Sequence, residues 1–225
     1  MKPRINLAET ALPDGNTLTL QEHDGRKSLL IHGQQICGPG TRAAEEELAR
    51  LACAPFRPAR QPKLFFVGLG LGQTLAAVCG ELKQKRGSFI VAEPLPVIAK
   101  WHKEHLPESP IHNDARVVMK NDCGPEALES IGGQLSAILL HLDASPMSPH
   151  NRPWIEDRRW LSAAYDSLQA GGLLAVAGSR RSGNVMKILK KAGFDVAEYD
   201  VPASPNAKRS RLMPIWLGRK GRPDY

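Results

Sequence analysis

Lys63-Leu64-Phe65-Phe66-Val67-Gly68-Leu69-Gly70-Leu71-Gly72-Gln73-Thr74-Leu75 reads as a buried strand, a tight glycine turn and the start of a helix, and the rest of the chain is arranged around it. The apolar run after Lys63 suits a central parallel strand covered on both faces. Gly68, Gly70 and Gly72 let the backbone turn sharply and come close to a ligand, and the helix that follows offers unpaired N–H groups at its start. Glycines also serve ordinary strand-to-helix turns, so the neighbouring sequence has to decide. About 20 residues further on, Ser88-Phe89-Ile90-Val91-Ala92-Glu93 is a second apolar strand that ends in an acid. A nucleoside-binding sheet places there the carboxylate that accepts hydrogen bonds from ribose hydroxyls.

Working outward, the chain alternates strands with helices. Helices are expected near residues 73–84 and 96–105, followed by a strand at 116–119, a short helix over 124–131 and a buried strand at 136–142 that ends at Asp143. Pro146, Pro149 and Pro153 forbid helix in the next segment, so Asp143 opens a loop at a strand's carboxyl end, where open α/β sheets bind ligands. A helix over about 155–168 is stopped by Ala170-Gly171-Gly172, and a strand follows at 173–177. Ser182 is placed to cap a helix running to Lys191. Two last strands, 194–199 and 212–217, have only a loop between them, which makes that pair antiparallel.

On the amino-terminal side, Thr17–Leu20 and Leu29–His32 flank the turn dipeptide Asp24-Gly25 as a β-hairpin, and a turn at Gly33 adds a third short strand. Thr41 is placed to cap a helix whose first turns carry Glu45, Glu46 and Glu47, favourable at the positive end of the helix dipole. Three prolines between residues 54 and 62 then separate an appendage, residues 1–55, from a sheet domain, residues 56–225. The expected fold class is α/β: a Rossmann-like, doubly wound, mostly parallel seven-stranded sheet with an antiparallel last strand, plus a small N-terminal β-hairpin domain.

Composition narrows the functional classes. A hydrophobic fraction of 42% over 225 residues is enough for a sizeable core. Cys37, Cys53, Cys79 and Cys123 show no C-x-x-C spacing, and no apolar run is long enough to cross a bilayer. The expectation is a cytoplasmic protein with free thiols and no membrane partner. The net charge of +7 is uneven: residues 179–225 hold eleven Lys or Arg against four Asp or Glu, and the remainder holds nineteen of each. Such an end could meet nucleic acid, but without interleaved aromatics it reads better as a solvated helix face (Lys187, Lys190, Lys191) and a flexible tail (Arg219, Lys220, Arg222). A homodimer is compatible with the sequence.

Leu64 to Gly72, Val91-Ala92-Glu93-Pro94, Asn121-Asp122 and Ile138-Leu139-Leu140-His141-Leu142-Asp143 with Ser145-Pro146-Met147-Ser148-Pro149 together resemble the spermidine synthase (polyamine aminopropyltransferase) family. The resemblance extends over the β-hairpin appendage and is nearest to the short, divergent members. Ordinary methyltransferases of this superfamily carry an acid two residues before the first turn glycine, where this chain has Phe66, apolar as in the aminopropyltransferases. The resemblance implies S-adenosylmethionine or its decarboxylated form as co-substrate and a small-molecule amine as acceptor. It places the Gly68–Gly72 turn beside the arm and sulfonium, Glu93 on the ribose, Asp122 near the adenine amine and Asp143 at the reacting amine.

The departures bear on substrate. Leu71 stands where the family has an Asp that contacts the cofactor's amine, the loop Asp143-Ala144-Ser145-Pro146 has one acid where the family has two, and the family's Tyr-His pair has no counterpart near Ala44-Glu45. Cationic amines are held through charge-assisted hydrogen bonds to carboxylates, so the family's standard diamine site is depleted. Leu71 also removes a repulsive partner for a carboxylate, which admits S-adenosylmethionine itself. Asp143 is the candidate general base, its alternative use being a loop cap. Asp122 is read equally well as a cap for the helix near Gly124. His102 and His105, one turn apart without a third ligand, belong to a surface helix face and not to a metal site. His141 reads as buried in its strand, and Trp154 and Trp160 either close over a pocket or pack in the core. The expected activity is alkyl (aminopropyl-type) transfer, with methyl transfer to a small molecule or nucleic acid, or a non-catalytic nucleoside-binding or oligomerising domain, as rivals.

Overall fold

The computed structural model describes residues 3–12, 14–150, 152–203 and 211–221. At the amino terminus β1 (Ile5–Ala11), β2 (Thr17–His23), β3 (Arg26–Ile31) and β4 (Gln34–Cys37) form an antiparallel sheet in chain order. Both residues of the Asp24-Gly25 and His32-Gly33 turns have positive φ, the conformation that matches the twist of a two-residue hairpin. Strand β1 is an addition to the expected three. Its residues, which include two alanines, an asparagine and a glutamate, have little intrinsic strand preference, and pairing with β2 from Ile5↔Glu22 to Ala11↔Thr17 orders them.

Helix α1 (Arg42–Cys53) leads through a short 3₁₀ turn to β5 (Lys63–Val67). The units α2 (Gln73–Glu81), β6 (Ser88–Ala92), α3 (Pro96–His105), α4 (Pro110–Asn113), β7 (Val117–Lys120), α5 (Pro125–Glu129) and β8 (Leu135–His141) follow. The chain ends with α6 (Arg158–Ser167), β9 (Leu168–Ala177), α7 (Gly183–Lys191), β10 (Asp195–Pro202) and β11 (Leu212–Arg219). The large sheet has the order β10-β11-β9-β8-β5-β6-β7, parallel throughout except for β11, which runs antiparallel to both neighbours. Successive crossovers leave β5 in opposite directions, so the strand order reverses between β5 and β8. A crevice opens at that point, beside the glycine turn.

Strand alternation sorts the core. Leu64 and Phe66 of β5 join Leu48, Leu75 and Val78 on the face covered by α1 and α2, and this cluster continues into the small sheet through Leu18, Leu20 and Leu29. Phe65 and Val67 point the other way, to Trp160, Leu161, Val185 and Leu189 of α6 and α7. Ala137 and Leu139 of β8 lie on the first face, so the next residue in that register, His141, faces α1.

Three local expectations change. Gly171-Gly172 does not end α6. Strand β9 begins at Leu168, and a Cβ on Gly172 would stand 3.0 Å from the carbonyl oxygen of Leu135, so the glycine serves a bulge where two backbones approach closely. Helix α6 starts later than expected because the Asp157 side chain caps it, accepting from the Trp160 N–H at 2.9 Å. Lys220, expected in a flexible tail, donates from Nζ to the carbonyls of Asp166 and Leu168 and lies over the Tyr165 ring. Arg222 lies outside the described residues. No helix among the described residues is long and apolar enough to cross a membrane.

Candidate active site

Strand β5 hands the chain to the turn through a hydrogen bond from the Gly68 N–H to the Ala92 carbonyl, 2.8 Å. Gly68, Gly70 and Gly72 all have positive φ (87°, 55° and 73°), which a side chain would strain. At Gly68 space is also decisive: a Cβ there would lie 2.6 Å from Cδ of Pro146, because the loop after β8 folds across the turn. That loop is anchored by Ser145, whose hydroxyl donates to the Val67 carbonyl at 2.5 Å and accepts from the His141 N–H at 3.0 Å.

Two side chains hold the turn. Glu93, 5% exposed, accepts from the Leu69 N–H through one carboxylate oxygen (2.9 Å) and from the Leu95 N–H through the other (3.0 Å). Burial raises its carboxyl above the usual range, and the two N–H donors pull in the opposite direction. Each oxygen keeps a lone pair for a further donor. His102 is the second support, and its expected place on a surface helix face is corrected. It is 1% exposed, bonded to the Gly70 carbonyl through Nε2 (2.9 Å) and to Ser109 Oγ through Nδ1 (2.7 Å). A carbonyl only accepts, so Nε2 carries the proton and Nδ1 accepts from the serine hydroxyl. Burial lowers the pKa of this imidazole, opposed by the Gly70 bond. Periodicity along α3 alone does not reveal that α4 and the turn pack over this position.

Asp122 is exposed at the carboxyl end of β7, and its Oδ1 accepts from the Gly124 N–H at 2.8 Å, one strand beyond Glu93. Asp143 is also exposed. Both of its oxygens accept from Ser179 at the end of β9, from the N–H at 2.7 Å and from the hydroxyl at 2.9 Å. The turn and Glu93 are thus brought together, with Asp122 flanking them and Asp143 on the other side of β8's end.

The space between α1 and the turn is a cavity of about 40 Å³, lined by Cys37, Glu45, Thr74, His141, Ser145 and the backbone of Gly68 to Gly70. Asp143 does not line it. Glu45 is buried and accepts from the hydroxyls of Thr41 (2.8 Å) and Thr74 (3.2 Å) and from the Cys37 thiol (3.6 Å). Thr41 accordingly makes no side-chain cap bond to α1, because its hydroxyl is turned to Glu45 and Gly38. Burial, reinforced by the Glu45 charge, pushes the Cys37 thiol well above its ordinary range, so it is neutral. His141 is 9% exposed, and among the described residues neither of its buried ring nitrogens has a hydrogen-bond partner. Glu45 and His141 are the site residues that the sequence reading passed over. Signals existed: Glu45 shares a helix stripe with Ala44, Leu48 and Ala52, all buried, and His141 interrupts an apolar strand. Trp154 and Trp160 pack in the opposite core, away from this cavity.

No protein-family model matches the chain, and no curated protein sequence matches it. Solved structures do. A spermidine synthase from Thermotoga maritima superposes with a TM-score of 0.73 at 16% identity, covering 96% of this chain and 73% of that one. A spermidine synthase in complex with the transition state analogue AdoDATO gives 0.70 at 15% identity over 96% of this chain and 72% of that one. The precorrin-6y C5,15-methyltransferase of Geobacter metallireducens gives 0.57 at 12% identity over 80% and 87%. The chain therefore has the fold of the spermidine synthase-like, S-adenosylmethionine-dependent transferases.

Proposed function

We propose that the protein transfers an alkyl, aminopropyl-type group from S-adenosylmethionine or its decarboxylated form to a small primary amine. The observation that carries this reading is the half-open cavity beside the glycine turn, where Glu45, Thr74 and Ser145 stand among apolar side chains. The N-terminal sheet and α1 roof the turn, with Cys37 Sγ only 3.5 Å from where a Cβ on Gly70 would be. The transferring end of a nucleoside at the turn would meet a half-open space of about 40 Å³, room for a group of a few heavy atoms. A small amine fits.

Gly68, Gly70, Gly72 and Glu93 would hold the nucleoside, with Asp122 at its adenine end. The co-substrate supplies an electrophilic carbon on a sulfonium, and the chain's own part is to orient the amine, exclude water and accept a proton. Asp143, exposed beyond the carboxyl end of β8, is the residue we propose as that proton acceptor. The coverage of 96% by both spermidine synthases includes the N-terminal sheet, which supports the aminopropyl reading over methyl transfer. The test is mass spectrometry of the nucleoside product after incubation with each co-substrate and a panel of short amines. Methylthioadenosine is expected. S-adenosylhomocysteine would make the protein a methyltransferase, and no product across the panel would leave a binding domain.

A further inference from the structure

Next to the acid at the end of β8 stands a cation without a partner. Both carboxylate oxygens of Asp143 accept from Ser179, the N–H at 2.7 Å and the hydroxyl at 2.9 Å, which ties the loop after β8 to the loop after β9. Each oxygen keeps capacity for a further donor. The backbone around the clamp is ordered by the sheet: the Leu142 N–H donates to the Ala177 carbonyl at 2.8 Å and the Gly178 N–H to the Pro214 carbonyl at 3.1 Å. Arg180 follows Ser179 directly, so its main chain is held one residue from the acid's partner. Residues 142–153 carry no acid besides Asp143, and residues 178–182 carry Arg180 and Arg181 and no acid. Arg181 is engaged with Asp200, to which it donates from Nε at 3.1 Å and from a terminal nitrogen. Arg180 is exposed and has no hydrogen-bond or ion-pair partner among the described residues. Its planar fork of N–H donors is open to a ligand.

These two charges specify a ligand. A carboxylate alone calls for a cation, but a second ammonium on the same molecule would meet Arg180 and be repelled. A carboxylate beside a free guanidinium calls for charges of both signs: an ammonium toward Asp143, and an anionic oxygen group toward the arginine, which recognises carboxylate and phosphate through paired N–H donors. We infer that the acceptor is a short zwitterion, a primary amine whose other end is a carboxylate or a phosphate, and that Arg180 selects it. The inference names the substrate class of the proposed transferase and rests on that reading for the amine's role. Arg180 takes no part in the bond changes; it fixes which molecules reach Asp143 and how they lie. Arg152, the one Lys or Arg of the loop after β8, is also exposed and adds charge of the same sign.

Titration calorimetry on the full chain, with and without methylthioadenosine, tests the selection without turnover. Three amines of similar length are compared at neutral pH: 3-aminopropanoate, butylamine and propane-1,3-diamine. They differ in the far end, which is anionic, apolar or cationic. The zwitterion should bind roughly tenfold more tightly than butylamine, the worth of one hydrogen-bonded charge pair, and the diamine least tightly. Added salt should narrow the difference, because the pair is exposed. Arg180→Gln should bring 3-aminopropanoate to the level of butylamine. A fourth probe, 2-aminoethyl phosphate, decides which anion the site prefers. Butylamine or the diamine binding as tightly as the zwitterion, no saturable binding of either anionic probe, or a preference that survives Arg180→Gln would overturn the inference. The comparison of probes in the wild type stands without the variant. Incubating the same amines with each co-substrate separates the two readings. A zwitterion that binds but yields no product removes the transferase and leaves the site, whereas product from the diamine alone keeps the transferase and removes the selection.

Discussion

The two faces of the large sheet are built from the same strands and have opposite contents at their carboxyl ends. On the α6 and α7 side, Phe65, Val67, Ile138 and Leu140 meet Trp154 and Trp160 in an apolar layer, and the Trp160 indole is satisfied by the Cys123 carbonyl at 2.9 Å. On the α1 and α2 side the same strands bring Phe66, Leu139 and His141 against Glu45, Thr74 and Cys37 around a cavity. One face is packed with aromatic and aliphatic side chains, though the indole N–H groups of Trp154 and Trp216 have no partner among the described residues, and the other lines a cavity. Stability and function are therefore separable by face.

Removing a large side chain from the apolar face should have the largest effect on stability. Trp160→Ala should lose about 3–5 kcal/mol by cavity formation, seen as a lower chemical-denaturation midpoint, while any folded fraction keeps its nucleoside affinity. A fall in affinity with no loss of stability would erase the distinction between the faces. On the polar face, Gly70→Val puts a branched side chain at a φ of 55°, straining the turn by roughly 1–2 kcal/mol. Its main expected consequence is loss of nucleoside binding in titration calorimetry. Unchanged affinity would put the nucleoside elsewhere.

A smaller effect is expected from acid. Burial lowers the pKa of His102, so as pH falls the unfolded chain takes up this proton first. Stability should decrease as pH drops below about 6.5 and be fully present above it. Glu93, whose carboxyl is raised, acts in the opposite sense, its ionised form being the one that burial disfavours. Thermal melts of wild type and His102→Ala between pH 5.5 and 8 isolate the histidine, since Glu93 is common to both. A steeper loss in the variant would contradict the neutral, turn-supporting role. The smallest stability change belongs to Asp143→Asn, under about 1 kcal/mol, because that side chain is exposed and the amide keeps an acceptor for Ser179.

Most of the frame was legible because it rests on local signals. The apolar run at Leu64–Val67, the glycines after it and the acid at Glu93 specify a strand, a turn and a ligand contact without reference to distant residues. The lack of helix between the last two strands likewise required antiparallel pairing, and β10 and β11 pair so. What escaped depends on contacts between distant segments. β1 becomes a strand only by pairing with β2, and Gly172 serves a bulge only because Leu135 lies beside it. His102 is buried only because α4 and the turn pack over it, and Glu45 reaches the site only because α1 lies across the turn. The resemblance places its acids in loops, whereas the carboxylate beside this cavity, Glu45, comes from a helix.

The account's central claim, that transfer chemistry belongs to the glycine turn and the loop after β8, is tested most directly by methylthioadenosine release from wild type and Asp143→Asn under one set of conditions. The account predicts a fall in kcat of roughly 10²-fold or more in Asp143→Asn with nucleoside affinity retained. Unimpaired release from Asp143→Asn, or loss of its nucleoside binding with the fold intact, would contradict it.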